Sequence, residues 1–344
     1  MRYIIFLWIF LLFNCSESST GSNKNDLQTS GKVDPFEQNT LLQRSINLGN
    51  ALEAPGLGEW GVVLKEEYFK IISDAGFSAV RIPCRWSAYT TSSAPFKIRS
   101  DFMNLVKWSL DQCQKYDLAV VINVHHFEEI FSTPAQQKEK FLAIWKQIAT
   151  EFKNRPTSVF YEILNEPHDN LTAELWNEYL QDAIEVVRAI DTTHTLIIGT
   201  AEWGGISAMQ KLEIPETEDN VIFTFHYYNP FQFTHQGAEW VDGADEWLGT
   251  QWVGSTSEIN AVRSEFNNVK AWAEQRNLPV YVGEFGAYNK ADINSRARWT
   301  NFIVSEAEAD GFSWAYWEFI AGFGAYNGTE NNWNEPLLNA LIPD

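Results

Sequence analysis

The chain has 344 residues, enough for one large domain or two ordinary ones, and its 45% hydrophobic and 15% aromatic content can fill a core. Its 45 acidic and 25 basic side chains leave a net charge of −20. That balance argues against nucleic acid and anionic membrane surfaces, where positive charge supplies the affinity, and suits a soluble protein acting on a neutral ligand.

Taken from the N-terminus, residues 1–15 read as an export signal of the lipoprotein type. Arg2 supplies one positive charge, and residues 3–13 are an apolar run too short to span a bilayer comfortably. Leu11-Leu12-Phe13-Asn14-Cys15 resembles a relaxed lipobox with Cys15 as the lipid-bearing residue, although Phe13 and Asn14 stand where small residues are usual. The expectation is an outer-membrane or cell-surface lipoprotein, tethered to the membrane only by that lipid. Ordinary secretion with cleavage near Cys15 is the alternative. Residues 16–34, rich in Ser, Asn, Gly and Asp, read as a flexible linker. No break in composition divides the rest, so 35–344 is expected to be one domain and the protein a monomer.

Short apolar runs mark strands at 44–48, 79–82, 119–124, 159–164, 196–199, 221–225, 280–283 and 312–316. Helical periodicity marks 66–75, 101–116, 135–153, 173–190, 258–276 and 293–309. In the third of these, Phe141, Ile144, Trp145, Ile148 and Phe152 share one stripe. The fifth crossover, 206–212, is short. The strands are continuously apolar, as in parallel sheets covered on both faces. Eight strands alternating with helices predict an α/β fold, a single (β/α)₈ TIM barrel. The competing open doubly wound sheet is weakened by the lack of a Gly-rich phosphate loop. Cys84 and Cys113 are expected to be free buried thiols.

In a barrel, function sits on the loops after the strand C-termini. There the sequence places Asn47, Glu53 and Trp60 after strand 1, Arg81 at strand 2, His125-His126 after strand 3 and Asn165-Glu166 after strand 4. Trp203 follows strand 5; His226, Tyr228, His235 and Trp240 follow strand 6; Glu284 ends strand 7, and Trp317 follows strand 8. Two carboxylates on rigid strand ends suit cleavage of a glycosidic bond, in which one protonates the leaving oxygen and the other attacks or activates water. Exposed indoles can stack on sugar rings. His125 and His126 could be metal ligands, but neighbours along a strand point to opposite sides and no further Cys/His set accompanies them. Arg81 could be a structural ion pair, and Glu162, inside strand 4, a buried structural carboxylate. No metal and no cofactor is expected.

The ordered set Val80-Arg81-Ile82-Pro83, His125-His126, Asn165-Glu166-Pro167, His226-Tyr227-Tyr228, Gly283-Glu284-Phe285-Gly286 and Trp317 resembles glycoside hydrolase family 5, over residues 35–341. Longer stretches, such as Asn47 to Pro55, Gly199 to Gly205 and Tyr227 to Gln236, resemble its bacterial endo-β-1,4-glucanases. The resemblance implies retaining hydrolysis, with Glu166 as acid/base and Glu284 as nucleophile. It makes Arg81 and Tyr228 supports of the nucleophile and Asn165 the partner of the sugar 2-hydroxyl. His226 shapes the cleft or supports the acid/base. Asn47, Glu53, Trp60, His125, His126, Trp203, His235, Trp240 and Trp317 are the expected substrate contacts, with Trp317 as the platform on the non-reducing side. β-Mannan stays open as a substrate beside β-glucan, and a glycan-binding lipoprotein without chemistry is the non-enzyme alternative. For catalysis Glu166 must hold a proton, which an anionic Glu284 would favour, and Glu284 must stay ionised, which Arg81 would favour.

Overall fold

The computed structural model describes residues 33–343. The expected signal, lipidated Cys15 and all but the end of the linker lie outside the described residues.

Eight parallel strands close on themselves in sequence order, with β1 hydrogen-bonded to both β2 and β8. They are β1 Arg44–Asn47, β2 Ala79–Ile82, β3 Ala119–Asn123, β4 Val159–Glu162, β5 Leu196–Gly199, β6 Val221–Tyr227, β7 Val280–Phe285 and β8 Ser313–Tyr316. Every residue of β2 through β8 is buried, which is why they read as continuous apolar runs. Alternate residues enter two different cores. Val80, Ile82, Val120, Ile122, Ile198 and Val282 face the surrounding helices. Ala79, Val121, Phe160, Ile197, Ile222, Tyr281 and Ala315 fill the lumen with Leu42. Arg81 has the parity of Ala79, so it too enters the lumen, one step above that apolar layer.

The predicted helices form within two residues of their expected ends, as Glu66–Asp74, Ser100–Lys115, Pro134–Phe152, Ala173–Arg188, Thr256–Glu274 and Ile293–Ala309. The stripe Phe141, Ile144, Trp145, Ile148 and Phe152 is wholly buried. Burying side chains of this size stabilises the fold by about 1.5–3 kcal/mol each relative to exposure. The fifth crossover is a short 3₁₀ segment, Ile206–Lys211.

Three strand ends differ from expectation by two residues, and β4 stops short, at Glu162 rather than 164. β6 and β7 each run two residues further, so His226 and Glu284 are strand residues. A register shift between Phe225 and His226 carries the pairing on and sets His226 opposite Glu284. The periodicity of either strand alone could not reveal this, because the extra pairs depend on the partner. The sequence reading also missed the helix Pro35–Leu41, too short for a stripe. Asp34 caps it, and Asn39 bonds the Val280 carbonyl and Ser313, which ties it against the barrel. Cys84 and Cys113 are buried free thiols.

Candidate active site

Arg81 organises the mouth of the lumen. A guanidinium has five N–H donors in a rigid fork, and all five are used. Nε and Nη2 donate to the two oxygens of Glu162 (2.5 and 2.7 Å). Nη2 also reaches Asn165 Oδ1 (2.8 Å), and Nη1 reaches Asn47 Oδ1 (2.9 Å) and Glu284 Oε1 (2.6 Å). Tyr228 donates its hydroxyl to the other Glu284 oxygen (2.9 Å). The nucleophile candidate is thus clamped from two sides. Glu162 is the structural carboxylate its position suggested, and it holds Arg81 rather than substrate.

Glu166 lies one residue past the backbone that positions Asn165, with a positive φ of 48°. That turn aims its side chain across the mouth, where His226 Nδ1 meets Oε1 at 2.6 Å. One oxygen each from Glu166 and Glu284 lie within 4.8 Å of one another, with His226 Nδ1 in the same group. This is the scale of the short separation of retaining glycosidases, roughly 5–5.5 Å, and leaves no room for the water that inverting enzymes place between.

The protonation pattern differs from the expectation. Burial raises the Glu166 carboxyl, but the His226 ring, with His126 and Arg81 behind it, outweighs burial and holds it below its usual value. Burial and the neighbouring Glu166 push Glu284 above the usual carboxylate range, against the pull of His226 and Arg81. Burial disfavours a charged His226, yet Glu284 and Glu166 together raise it. These directions favour the ring side for the proton of the 2.6 Å bond between His226 Nδ1 and Glu166 Oε1. Moving it over that bond yields a neutral imidazole and a carboxylic acid. Expulsion of water by a bound chain favours this form, because an ion pair loses more solvation than its neutral tautomer.

A cleft of about 710 Å³ opens over these groups, lined by Trp60, His125, His126, His235, Trp240 and Trp317 among the expected contacts. His125 and His126 both line it, contrary to the opposite-sides expectation, because β3 ends at Asn123 and His126 has a φ of 46°. The His125 ring lies parallel to Trp317, 6.0 Å away. Gly286 makes the Trp317 position possible, since a Cβ there would collide with the Trp317 carbonyl.

Three expected substrate contacts do not line this cleft. Asn47 is fully buried; its amide donates to the Gly283 and Tyr316 carbonyls while its oxygen accepts from Arg81, so it positions Arg81. Glu53 is fully buried too, and accepts from the Asn50 and Ala51 N–H groups. Burial pushes its carboxyl up to about 7. It shapes the loop after β1. Trp203 is exposed outside the lining, its indole stacked 4.7 Å from His168. Arg85, Glu128, Glu239 and Tyr288 line the cleft without having been singled out. Arg85 and Glu128 lie two residues beyond Pro83 and His126, so following each motif two residues onward would have found them.

Glu166, His226 and Glu284 are also the one group of donors among the described residues close enough to share a metal ion. Their chemistry fits a cation poorly. Both Glu284 oxygens already accept from Arg81 and Tyr228, and His226 Nδ1 is engaged by Glu166.

Residues 38–322 match the model of a family described as cellulase, glycosyl hydrolase family 5. Endoglucanase H of Acetivibrio thermocellus is 34% identical over 317 residues, covering 90% of this chain and 34% of that protein. Endoglucanase 3 of Fibrobacter succinogenes is 27% identical over 340 residues, covering 85% of this chain and 52% of that protein. The chain thus spans about a third and about half the length of these two relatives. Among solved structures, endoglucanase Cel5A of Thermotoga maritima is 55% identical with a TM-score of 0.89, over 90% of this chain and 100% of that one. Cel5A has been solved in complex with cellobiose and with mannotriose.

Proposed function

Since the chain belongs to the cellulase family, glycosyl hydrolase family 5, we propose that it is a retaining endo-β-1,4-glucanase acting on soluble β-glucans. The observation that carries this reading is the pair of carboxylates within 4.8 Å, one clamped by Arg81 and Tyr228 and the other bonded to His226.

Glu284 attacks the anomeric carbon as the glycosidic C–O bond breaks, and Glu166 gives its proton to the departing oxygen. The glycosyl ester that forms has no charge on Glu284, so Glu166 is easily left ionised beside it. Glu166 then takes a proton from water, whose oxygen attacks the anomeric carbon and frees Glu284. Two inversions leave the configuration retained. Trp60, Trp240 and Trp317 line the cleft, where indoles can stack on successive sugar rings, which suits internal rather than terminal cleavage.

A second substrate is favoured by one observation. Cel5A, at 55% identity, has been solved with both cellobiose and mannotriose. Stacking reads a ring and not a single hydroxyl, so discrimination at C2 rests on few polar groups. Leaving one of these unmatched costs about 1–3 kcal/mol, roughly 5- to 150-fold in kcat/KM. Measurable side activity on glucomannan or mannan is expected. Product analysis on soluble β-glucans, mannans and xylans, with the anomeric configuration followed by NMR, tests both points. Inverted product, or release of glucose units from chain ends alone, would overturn the proposal.

The protonation pattern predicts a bell-shaped kcat/KM profile. Below the raised value of Glu284 the nucleophile is protonated, so the acid limb should lie above pH 4.5, the ordinary value. Above the raised value of His226 the proton shared with Glu166 is gone, so the alkaline limb should lie above pH 6.5. An acid limb below the ordinary carboxylate value would contradict the arrangement. Chelation should leave activity unchanged, because the donor atoms are committed to protein partners. A stoichiometric metal that is lost to EDTA together with activity would refute this.

A further inference from the structure

A second cavity of about 480 Å³ lies behind the loop that follows β8. Its volume falls in the range of small-molecule sites, roughly 300–1,000 Å³. Gly61, Asn289 and Gly324 line it, while their chain neighbours Trp60, Tyr288 and Phe323 line the cleft. The same loops therefore wall both spaces.

The chemistry of the two spaces differs. The cleft is lined by Glu128, Glu166, Glu239 and Glu284, whereas no carboxylate lines the second cavity. Arg296 stands instead among its lining residues. This side chain is 5% exposed. Nε donates to the Ala287 carbonyl and Nη2 to the Phe323 carbonyl, both at 2.9 Å. Among the described residues no carboxylate comes within ion-pair distance of it. Carbonyl dipoles solvate a cation without neutralising it, and buried charges ordinarily find a counter-charge. In a chain of net charge −20, a buried cation left without an acid is unusual. A planar carboxylate is the partner that a guanidinium fork selects. Around it, Tyr68, Asn289, Asn327, Thr329 and Asn334 bring hydroxyls and amides, the groups that recognise sugar hydroxyls.

The geometry points to a second ligand site, built on Arg296, for a sugar that carries a carboxylate. Its occupancy bears on the cleft through Phe323, whose carbonyl Arg296 holds and whose ring lies on the cleft wall. Such a ligand is either a free sugar acid or a uronic acid side group of a polysaccharide, and both present the same chemistry to Arg296.

Calorimetric titration of the whole protein at low salt tests this, with D-glucuronate, D-glucose and acetate as probes. Glucuronate should bind saturably, at least about tenfold more tightly than glucose, since hydrogen bonds to a charged group exceed neutral ones by that order. It should also bind more tightly than acetate, which lacks the hydroxyls, and weaken as salt is raised. Binding should persist in saturating cellobiose. Thr329→Trp, on the exposed rim of the cavity, and Arg296→Gln should each remove glucuronate binding. A glucuronate-substituted oligosaccharide that binds more tightly than free glucuronate supports the polysaccharide source, and one that binds less tightly supports the free acid. Equal binding of glucuronate and glucose, acetate as tight as glucuronate, displacement by cellobiose, or no saturation at all would each overturn the assignment. If Arg296→Gln does not fold, undiminished glucuronate binding by Thr329→Trp does so alone. The glucuronate, glucose and Thr329→Trp comparisons do not depend on the proposed glucanase activity, so the two readings fail separately.

Discussion

Glu284→Ala is expected to lower turnover of soluble β-glucan by about 10⁴-fold or more, because it removes the atom that forms the covalent intermediate. The fold should survive. Arg81 keeps both oxygens of Glu162 and the side-chain oxygens of Asn47 and Asn165 after Glu284 is gone. Truncation also opens space on the nucleophile's side of the sugar. Azide entering there should restore cleavage of an activated aryl glycoside and give a glycosyl azide of inverted configuration, since only one displacement then takes place. The measurements are steady-state rates, the melting temperature of the variant and the anomeric configuration of the azide product. Rescue with retained configuration, or wild-type turnover without azide, would remove Glu284 from the role of nucleophile.

Glu166→Ala should separate substrates by the quality of their leaving group. Cleavage of polysaccharide needs a proton on the departing oxygen, and its loss should cost about 10²–10⁴-fold. An aryl glycoside with an acidic phenol leaves without help, so its first step should stay close to the wild-type rate. Its second step lacks the general base, so the glycosyl-enzyme should accumulate and appear as a burst of phenol. The alkaline limb of the pH profile should disappear, because the proton shared by His226 and Glu166 no longer serves the reaction. Equal losses on aryl glycoside and polysaccharide would mean that Glu166 is not the acid/base.

The two variants probe opposite halves of one charge arrangement, and that arrangement marks where sequence reasoning stopped. Arg81, His226, Tyr228 and both glutamates stand in short motifs whose order along the chain suits successive strand ends of a barrel. Their direct bonds span sequence separations of up to 203 residues, as between Arg81 and Glu284. Such contacts leave no local periodicity. The sequence could say that a cation stood near the carboxylates. It could not say that His226, set opposite Glu284 by the register shift in β6, would meet Glu166 Oε1 at 2.6 Å. Asn47 and Glu53 were misjudged for the same reason. A polar residue after a strand reads as a cleft residue whether its side chain turns outward or folds back beneath its own loop.

The sequence by itself determined what depends on local repetition and on residue chemistry. Continuous apolar runs, helical stripes and their alternation specify eight strands and most of the helices, because burial on two faces and a 3.6-residue period are properties of single segments. The two candidate glutamates stood out for a similar reason, since a carboxylate at the end of an apolar strand is conspicuous against its neighbours. The tertiary structure alone decided which side chains enter the lumen above the apolar layer, which loop residues turn inward, where β6 and β7 end, and which groups His226 meets. These depend on closure of the barrel, which brings distant segments within a few ångströms, where burial and neighbouring charge set hydrogen bonds and proton affinities.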